Sequence, residues 1–326
     1  MRRRDTLRVA TGAFLGAAVL GRSLAQPAYP TRQVTFVAPL APGTEVDWSA
    51  RAYAQKLSDY WKVPVVVENR VGVGGDIGIG YAAKAAPDGY TVLFTGGSFA
   101  INPLINKASY DPARSFKPVM LTGLSYFSLV VSSRMGPTNF KDFIAEVKSK
   151  PGRYNYATPG NGSVQHLVME LFKKEMGLQL THVPYKGAGP AITDLASGTI
   201  DAAIVSTPQV AELERVGRVR ILALLAPDRE TSVPHVPAVV ELGFPRTVVT
   251  GWSAALLPAG TPDDVVQKLN RDMNYVREHS DLMEAYLKRS GRPDTAGGST
   301  ERLGSMITAD LARWRQVVAD ANIKPD

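Results

Sequence analysis

The chain of 326 residues contains no cysteine and only four histidines. Without a thiol there is no disulfide, no thiolate metal site, no cysteine nucleophile and no N-terminal cysteine to carry a lipid anchor. His166, His182, His235 and His279 show no metal-ligand spacing and no H-E-x-x-H occurs, so neither a metal nor another cofactor is expected. Also missing are the G-x-S-x-G of a hydrolase elbow and the G-x-x-x-x-G-K-[ST] of a phosphate loop. Gly78-Ile79-Gly80-Tyr81-Ala82-Ala83 does satisfy a dinucleotide-like G-x-G-x-x-A. It lies ten residues beyond the candidate strand Val65–Val67, not on the strand-to-helix turn, and the next strand ends in Gly96-Gly97 where an acid is required. A nucleotide cofactor is therefore not expected. A secreted hydrolase or isomerase would have to use Glu45 or Asp47 with His166, and no nucleophile–base pair is spaced for it. The chain reads as a binding protein, not an enzyme.

The N-terminus points to export. Residues 2–4 are Arg-Arg-Arg, an apolar stretch runs from Val9 to Leu20, and Ser23-Leu24-Ala25 places small residues where a signal peptidase reads. The apolar run is too short to span a bilayer. Residues 1–25 are thus expected to be a signal peptide removed near Ala25, leaving the mature protein in the periplasm. Arg3-Arg4-Asp5-Thr6-Leu7-Arg8 resembles a twin-arginine signal, with Thr6 where an aromatic residue or Leu is usual, and this route is favoured over general secretion. The segment holds five arginines and one aspartate, so +4 of the formal +7 is targeting charge and +3 remains on the mature chain. With no Lys/Arg cluster left, nucleic acid is not an expected partner.

The remaining 300 or so residues exceed the usual size of one core, which makes two domains the default. Candidate strands are Val34–Ala38, Val65–Val67, Thr91–Thr95, Phe127–Ser132, Tyr154–Ala157, Leu180–Val183, Ala202–Ser206, Arg220–Leu225 and Ala254–Leu257. Helical periodicities stand between them, such as Val46, Ala50, Ala54, Leu57 and Trp61. This alternation predicts an α/β fold. A strand-free C-terminal stretch predicts helices near 262–278, 281–290 and 300–322, a tail expected to pack back on the first domain. The chain is read as 26–124 with 250–326 forming domain 1, and 125–249 forming domain 2, joined by two crossing segments near Ser125 and Gly251.

Three apolar runs break into glycine-bearing turns that open onto helical patterns, at residues 34–48, 64–80 and 154–167. Such turns aim unpaired backbone N–H groups and the positive end of a helix dipole at one point, which suits an anion such as a carboxylate. Asp47 and Asp76 are placed as helix caps, and Asn161 and Ser163 supply short polar side chains. His166, one turn into the helix after Gly162-Ser163, either approaches the pocket or packs the helix.

The segments PLAPGTEVDWSAR, VPVVVENRVGVGGDIG, AAKAAPDGYTVLF, INP, YDP, YNYATPGNGSVQHL, HVPYKGAGPAITDLASGTID and LLPAGTP resemble, in order, the diagnostic blocks of the Bug family of periplasmic solute-binding proteins. These are the TctC-type receptors of tripartite tricarboxylate transporters, and the likeness runs from about Tyr29 to Asp326. The resemblance implies a two-lobed, type II Venus-flytrap protein, monomeric, that closes on a small organic anion and delivers it to integral-membrane permease subunits. It also implies a site at Leu40, Gly43, Thr44, Glu45, Val46 and Asp47 on the first loop, Gly74 and Gly75 on the second, and Thr158, Gly160, Asn161, Gly162 and Ser163 on the third. Ser98 in the GGSF turn, His166 and Ser206 complete the candidates. A periplasmic sensor that presents the same closed form to a signalling protein is the competing reading.

Two departures from the family pattern bear on the ligand. Where the family commonly reads P-P-G-G-S/T-x-D, Ala41 to Asp47 place Glu45 on the ligand-facing loop. Either Glu45 is solvated and irrelevant, or it meets an amine or ring nitrogen on the ligand. Val205-Ser206-Thr207 replace a frequent Asp-Asn pair, which makes the far wall more neutral. Phe99, Tyr126, Phe127 and Trp252 are core candidates singly; together at the cleft they would favour an aromatic acid.

Overall fold

The computed structural model describes residues 29–290 and 296–321; the signal-peptide reading falls outside them. In chain order the elements are β1 (Val34–Ala38), α1 (Glu45–Trp61), β2 (Val65–Asn69), α2 (Asp76–Ala83), β3 (Thr91–Gly96), α3 (Ser98–Ile105), β4 (Phe116–Ser132), α4 (Phe140–Ser149) and β5 (Asn155–Thr158). They continue with α5 (Val164–Met176), β6 (Thr181–Pro184), α6 (Ala188–Ser197), β7 (Ala202–Ser206), α7 (Ala211–Arg215), β8 (Val219–Leu224), β9 (Thr250–Pro258), α8 (Asp263–Glu278), α9 (Leu282–Ser290) and α10 (Thr300–Ala321).

The protein is two-lobed, and β4 is shared by both lobes. Its first part pairs antiparallel with β9, from Phe116 opposite Pro258 to Tyr126 opposite Thr250. Its last part pairs with β7 and β8, from Phe127 opposite Ser206 and from Ser128 opposite Leu224. One lobe therefore carries the sheet β2-β1-β3-β9-β4, with β2, β1 and β3 parallel. The other carries β8-β4-β7-β5-β6, with β7, β5 and β6 parallel. Ser125 stands opposite Gly251 where the paired strands leave the first sheet.

The strands read as continuous apolar runs because both faces of each sheet are covered. In β1, Val34, Phe36 and Ala38 join one core with the face of α1 and α8, while Val37 joins another with Ile79 of α2 and Phe99 of α3. The same period-2 division places Leu129 and Val131 of β4 with Phe143 of α4 and Leu167 of α5, and Val130 with Leu195 of α6. No helix among the described residues is long and apolar enough to cross a membrane.

The C-terminal tail packs on the first lobe as expected and reaches further. α10 packs on β4 and α3 but also on α5 of the second lobe. Trp314 and Val317 are buried in one cluster with Ala100 and Ile101 of α3 and Leu167 and Phe172 of α5. Trp252 on β9 donates its indole N–H to Asp310 Oδ2 at 2.6 Å, and Arg313 donates to the carbonyls of Val248 and Arg246. The tail is a strap over both lobes, because its apolar face is wide enough to cover the seam between their cores.

Candidate functional site

Every candidate residue sits at the carboxyl edge of a parallel strand. Leu40 to Asp47 follow β1, Gly74 and Gly75 follow β2, Ser98 follows β3, Thr158 to His166 end β5 and open α5, and Ser206 ends β7. Contacts bring these edges together. An ideal Cβ on Gly96 would lie 3.4 Å from Val46 Cγ2, one on Gly97 would lie 2.9 Å from Val164 Cγ2, and one on Gly162 would lie 2.9 Å from Ile105 Cδ1. The first pair joins two loops of one lobe; the other two cross from lobe to lobe. Ligands of open α/β sheets bind at such edges.

The first loop is organised by Asp47, which is 3% exposed. Its Oδ2 accepts the Gly43 amide at 2.8 Å, and its Oδ1 accepts Arg51 Nε at 3.0 Å and Asn69 Nδ2 at 2.8 Å. Asn69 Nδ2 also donates to the Leu40 carbonyl, so the end of β2 is tied to both ends of the loop. Burial acts to raise the Asp47 carboxyl, but the bonds from Gly43, Arg51 and Asn69 outweigh it and hold the group below its ordinary value. The cap of α1 is Thr44, whose hydroxyl accepts the Asp47 amide, so Asp47 is a brace inside the loop and not the cap. Likewise Gly75 caps α2, and Asp76 instead accepts the Ser109 amide at 2.9 Å.

The second loop turns through Gly74 and Gly75 at φ 61° and 104°. Asn102 of α3, 6% exposed, donates to the Gly74 carbonyl at 2.8 Å. In the third loop Thr158 Oγ1 lies 2.7 Å from His182 Nε2 and donates to the Gly160 carbonyl, and Ser163 caps α5 by accepting the His166 amide. His166 is buried under this loop. Its Nδ1 accepts the Gly162 amide at 3.1 Å, and its ring stacks on His182 with centroids 4.0 Å apart. It shapes the loop from beneath.

These bonds narrow the expected row of open amides. Those of Gly43, Gly75, Gly160 and Gly162 are engaged within their own turns. Helix geometry leaves first-turn amides without intrahelical acceptors. Among the described residues none is supplied to Glu45 and Val46 of α1, Ser98 and Phe99 of α3, or Val164 and Gln165 of α5. The Ser98 hydroxyl is buried with no partner among the described residues, as is that of Thr95. Thr95 was not expected from the sequence, since a threonine inside an apolar strand reads as packing.

The Glu45 side chain is 38% exposed. Its Oε2 accepts Arg289 Nε of α9 at 3.0 Å, so a cation of the protein itself meets the acid. No periodicity links positions 45 and 289. Of the aromatic candidates, Phe99 and Phe127 are in the cores, and Trp252 is 4% exposed and bonded to Asp310. Tyr126 is half-buried against the second lobe's core. Ser206 is half-buried, and the next residue, Thr207, pairs its hydroxyl with that of Ser128 at 2.7 Å. Among the described residues no group of three His, Asp or Glu side chains is placed to hold a metal ion.

Comparison with known proteins places this geometry. Residues 49–323 match the model of the tripartite tricarboxylate transporter family receptor, TctC. The chain is 34% identical over 316 residues to protein BugT of Bordetella pertussis, covering 96% of each. Among solved structures, the R. palustris protein Rpa4515 with adipate aligns at TM-score 0.82 and 32% identity, over 91% of this chain and 100% of that one. MatC from Rhodopseudomonas palustris with bound malate aligns at TM-score 0.78 and 30% identity, over 89% and 100%. The chain belongs to the TctC-type receptor family of solute-binding proteins, a family of receptors and not of enzymes.

Proposed function

We propose that the protein is a periplasmic receptor that captures one small organic carboxylate between its lobes and delivers it to the membrane permease of a tripartite transporter. One lobe comprises 26–124 with 250–326 and the other 125–249, hinged where Ser125 meets Gly251. The observation that supports this reading is that open helix starts of both lobes lie beside the same turn, Gly96-Gly97. The amides of Glu45 and Val46 come from one lobe and those of Val164 and Gln165 from the other, and Gly97 touches Val164 across the divide. A carboxylate is an acceptor-only anion and satisfies both sets at once. Relatives found with adipate and malate support the choice of anion. The protein acts as an exported monomer whose signal segment, 1–25, is removed, and the closed form is what the permease reads.

The test is a thermal-shift screen of the exported protein against organic acids, followed by uptake of the best hit in cells lacking the neighbouring permease. A stabilised protein that leaves the hit chemically unchanged, and uptake that needs both components, are expected. Conversion of the hit to another compound would overturn the reading.

A further inference from the structure

We infer that Arg289 on α9 is the specificity residue for a second carboxylate on the ligand, with Glu45 as its tuning partner. The inference rests on the carboxylate-receptor reading above and goes beyond it by assigning the far end of the ligand to named atoms.

α9 is held beside the first turn of α1. Tyr286 meets Trp48 edge-on with centroids 4.6 Å apart and donates its hydroxyl to Ser49 at 2.8 Å. One turn further on, the Arg289 guanidinium lies 5.0 Å over the Trp48 ring and gives its Nε to Glu45. The other Glu45 oxygen points at the shared strand: an ideal Cβ on Gly123 would lie 3.3 Å from Oε1 and 2.9 Å from Tyr286 Cε1. α9 also touches the short turn Thr207–Gln209 that follows Ser206 in the second lobe. The Glu45–Arg289 pair thus stands where the first loop, the strand joining the lobes and the far wall converge.

The chemistry of the pair points the same way. A lone carboxylate on the first loop repels an acidic ligand, whereas the pair is neutral. Glu45 engages only the Nε corner of a guanidinium that is 36% exposed, and its terminal nitrogens have no partner among the described residues. That edge presents parallel N–H groups matched to a carboxylate, and the Trp48 ring beneath the guanidinium adds a cation–π contact that favours this placement. The facing turn is Thr207-Pro208-Gln209, with no acid to compete, and the neighbouring Lys288 is paired with Glu284. An amine on the ligand finds Glu45 already taken. A dicarboxylate, with one acid on the helix starts and the other on Arg289, satisfies every group.

The experiment is calorimetric titration of wild type, Arg289→Gln, Arg289→Lys and Glu45→Gln, each checked by circular dichroism. The probes are linear dicarboxylates from succinate to suberate and monocarboxylates of matching length. For the preferred dicarboxylate, Arg289→Gln is expected to weaken binding about ten- to a hundredfold, the scale of one charged hydrogen-bonded contact, and to leave the matching monocarboxylate within about twofold. Arg289→Lys, which keeps the charge, recovers part of the loss, and Glu45→Gln tightens the dicarboxylate. Equal weakening of both series by Arg289→Gln, or no change in either, overturns the assignment and leaves the receptor reading standing, because the residue would then only staple α9. Stronger binding of an α-amino acid that is lost in Glu45→Gln also overturns it. Failure of wild type to bind any acid in either series overturns the assignment, and the receptor reading is then decided by the wider organic-acid screen.

Discussion

At the scale of single residues, the first loop depends on one buried acid. Asp47 ties Gly43, Arg51 and Asn69 together, so Asp47→Asn removes the ion pair and, with its oxygen kept toward Arg51 and Asn69, sets an amide nitrogen against the Gly43 donor. A loss of about 1–3 kcal/mol is expected in a urea melt, with ligand affinity falling because the open amides of Glu45 and Val46 are no longer held in place. The sign of the pH effect follows from the lowered folded value of this carboxyl. Its contribution is fully present above the unfolded carboxylate value, about 3.9, and is lost as pH falls through the lower folded one. Melts between pH 6 and pH 2.5 should therefore show a smaller acid loss in Asp47→Asn than in wild type. Gly74 offers a second residue-scale test. It sits at φ 61°, and a Cβ there would lie 2.9 Å from Asn102 Oδ1. Gly74→Ala should cost about 1–2 kcal/mol by melt and displace the second loop.

At the scale of elements, the helix starts to which the proposed function assigns the ligand are built by short-range chemistry. Ser163 caps α5, and Ser163→Ala should lower stability by about 1 kcal/mol in a denaturant melt while weakening acid binding, since the same turn aims the Val164 and Gln165 amides. Local rules of this kind were readable. The strands Val34–Ala38 and Ala202–Ser206 and the helix starts after the three glycine turns follow from apolar runs and turn residues, and the structure has them at those positions. The first half of β4 was not readable, because Pro118 and Gly123 interrupt it and the register shifts between Pro118 and Met120 and again between Leu121 and Gly123. That hid the strand shared by both lobes. Within the candidate site, the sequence marked the glycine turns but not which of their amides stay open, since Asp47 and His166 close the Gly43 and Gly162 amides through side-chain geometry. The Glu45–Arg289 pair joins residues 244 apart and exists only once α9 is docked.

At the scale of the molecule, motion between the lobes has to be reconciled with the strap. α10 buries Trp314 in a core fed by α3 of one lobe and α5 of the other, and anchors the return strand through Asp310 and Arg313. Burial pushes the Asp310 carboxyl above its ordinary value, against the pull of the Trp252 indole and the Arg313 charge. On the proposed function, a hinge with a shared core on one side can open only away from that side, so the strap would set the axis about which the candidate edges separate. The lobes should also unfold together, because the seam residues belong to both. Trp314→Ala removes the largest fully buried side chain of that seam and is expected to lower stability by about 3–5 kcal/mol. Circular dichroism and tryptophan fluorescence, which should give coincident transitions in wild type, are expected to separate in the variant as each lobe melts by itself. A variant that melts in one step with wild-type stability would show that α10 merely covers the surface and that the hinge axis is set by β4 and β9 alone.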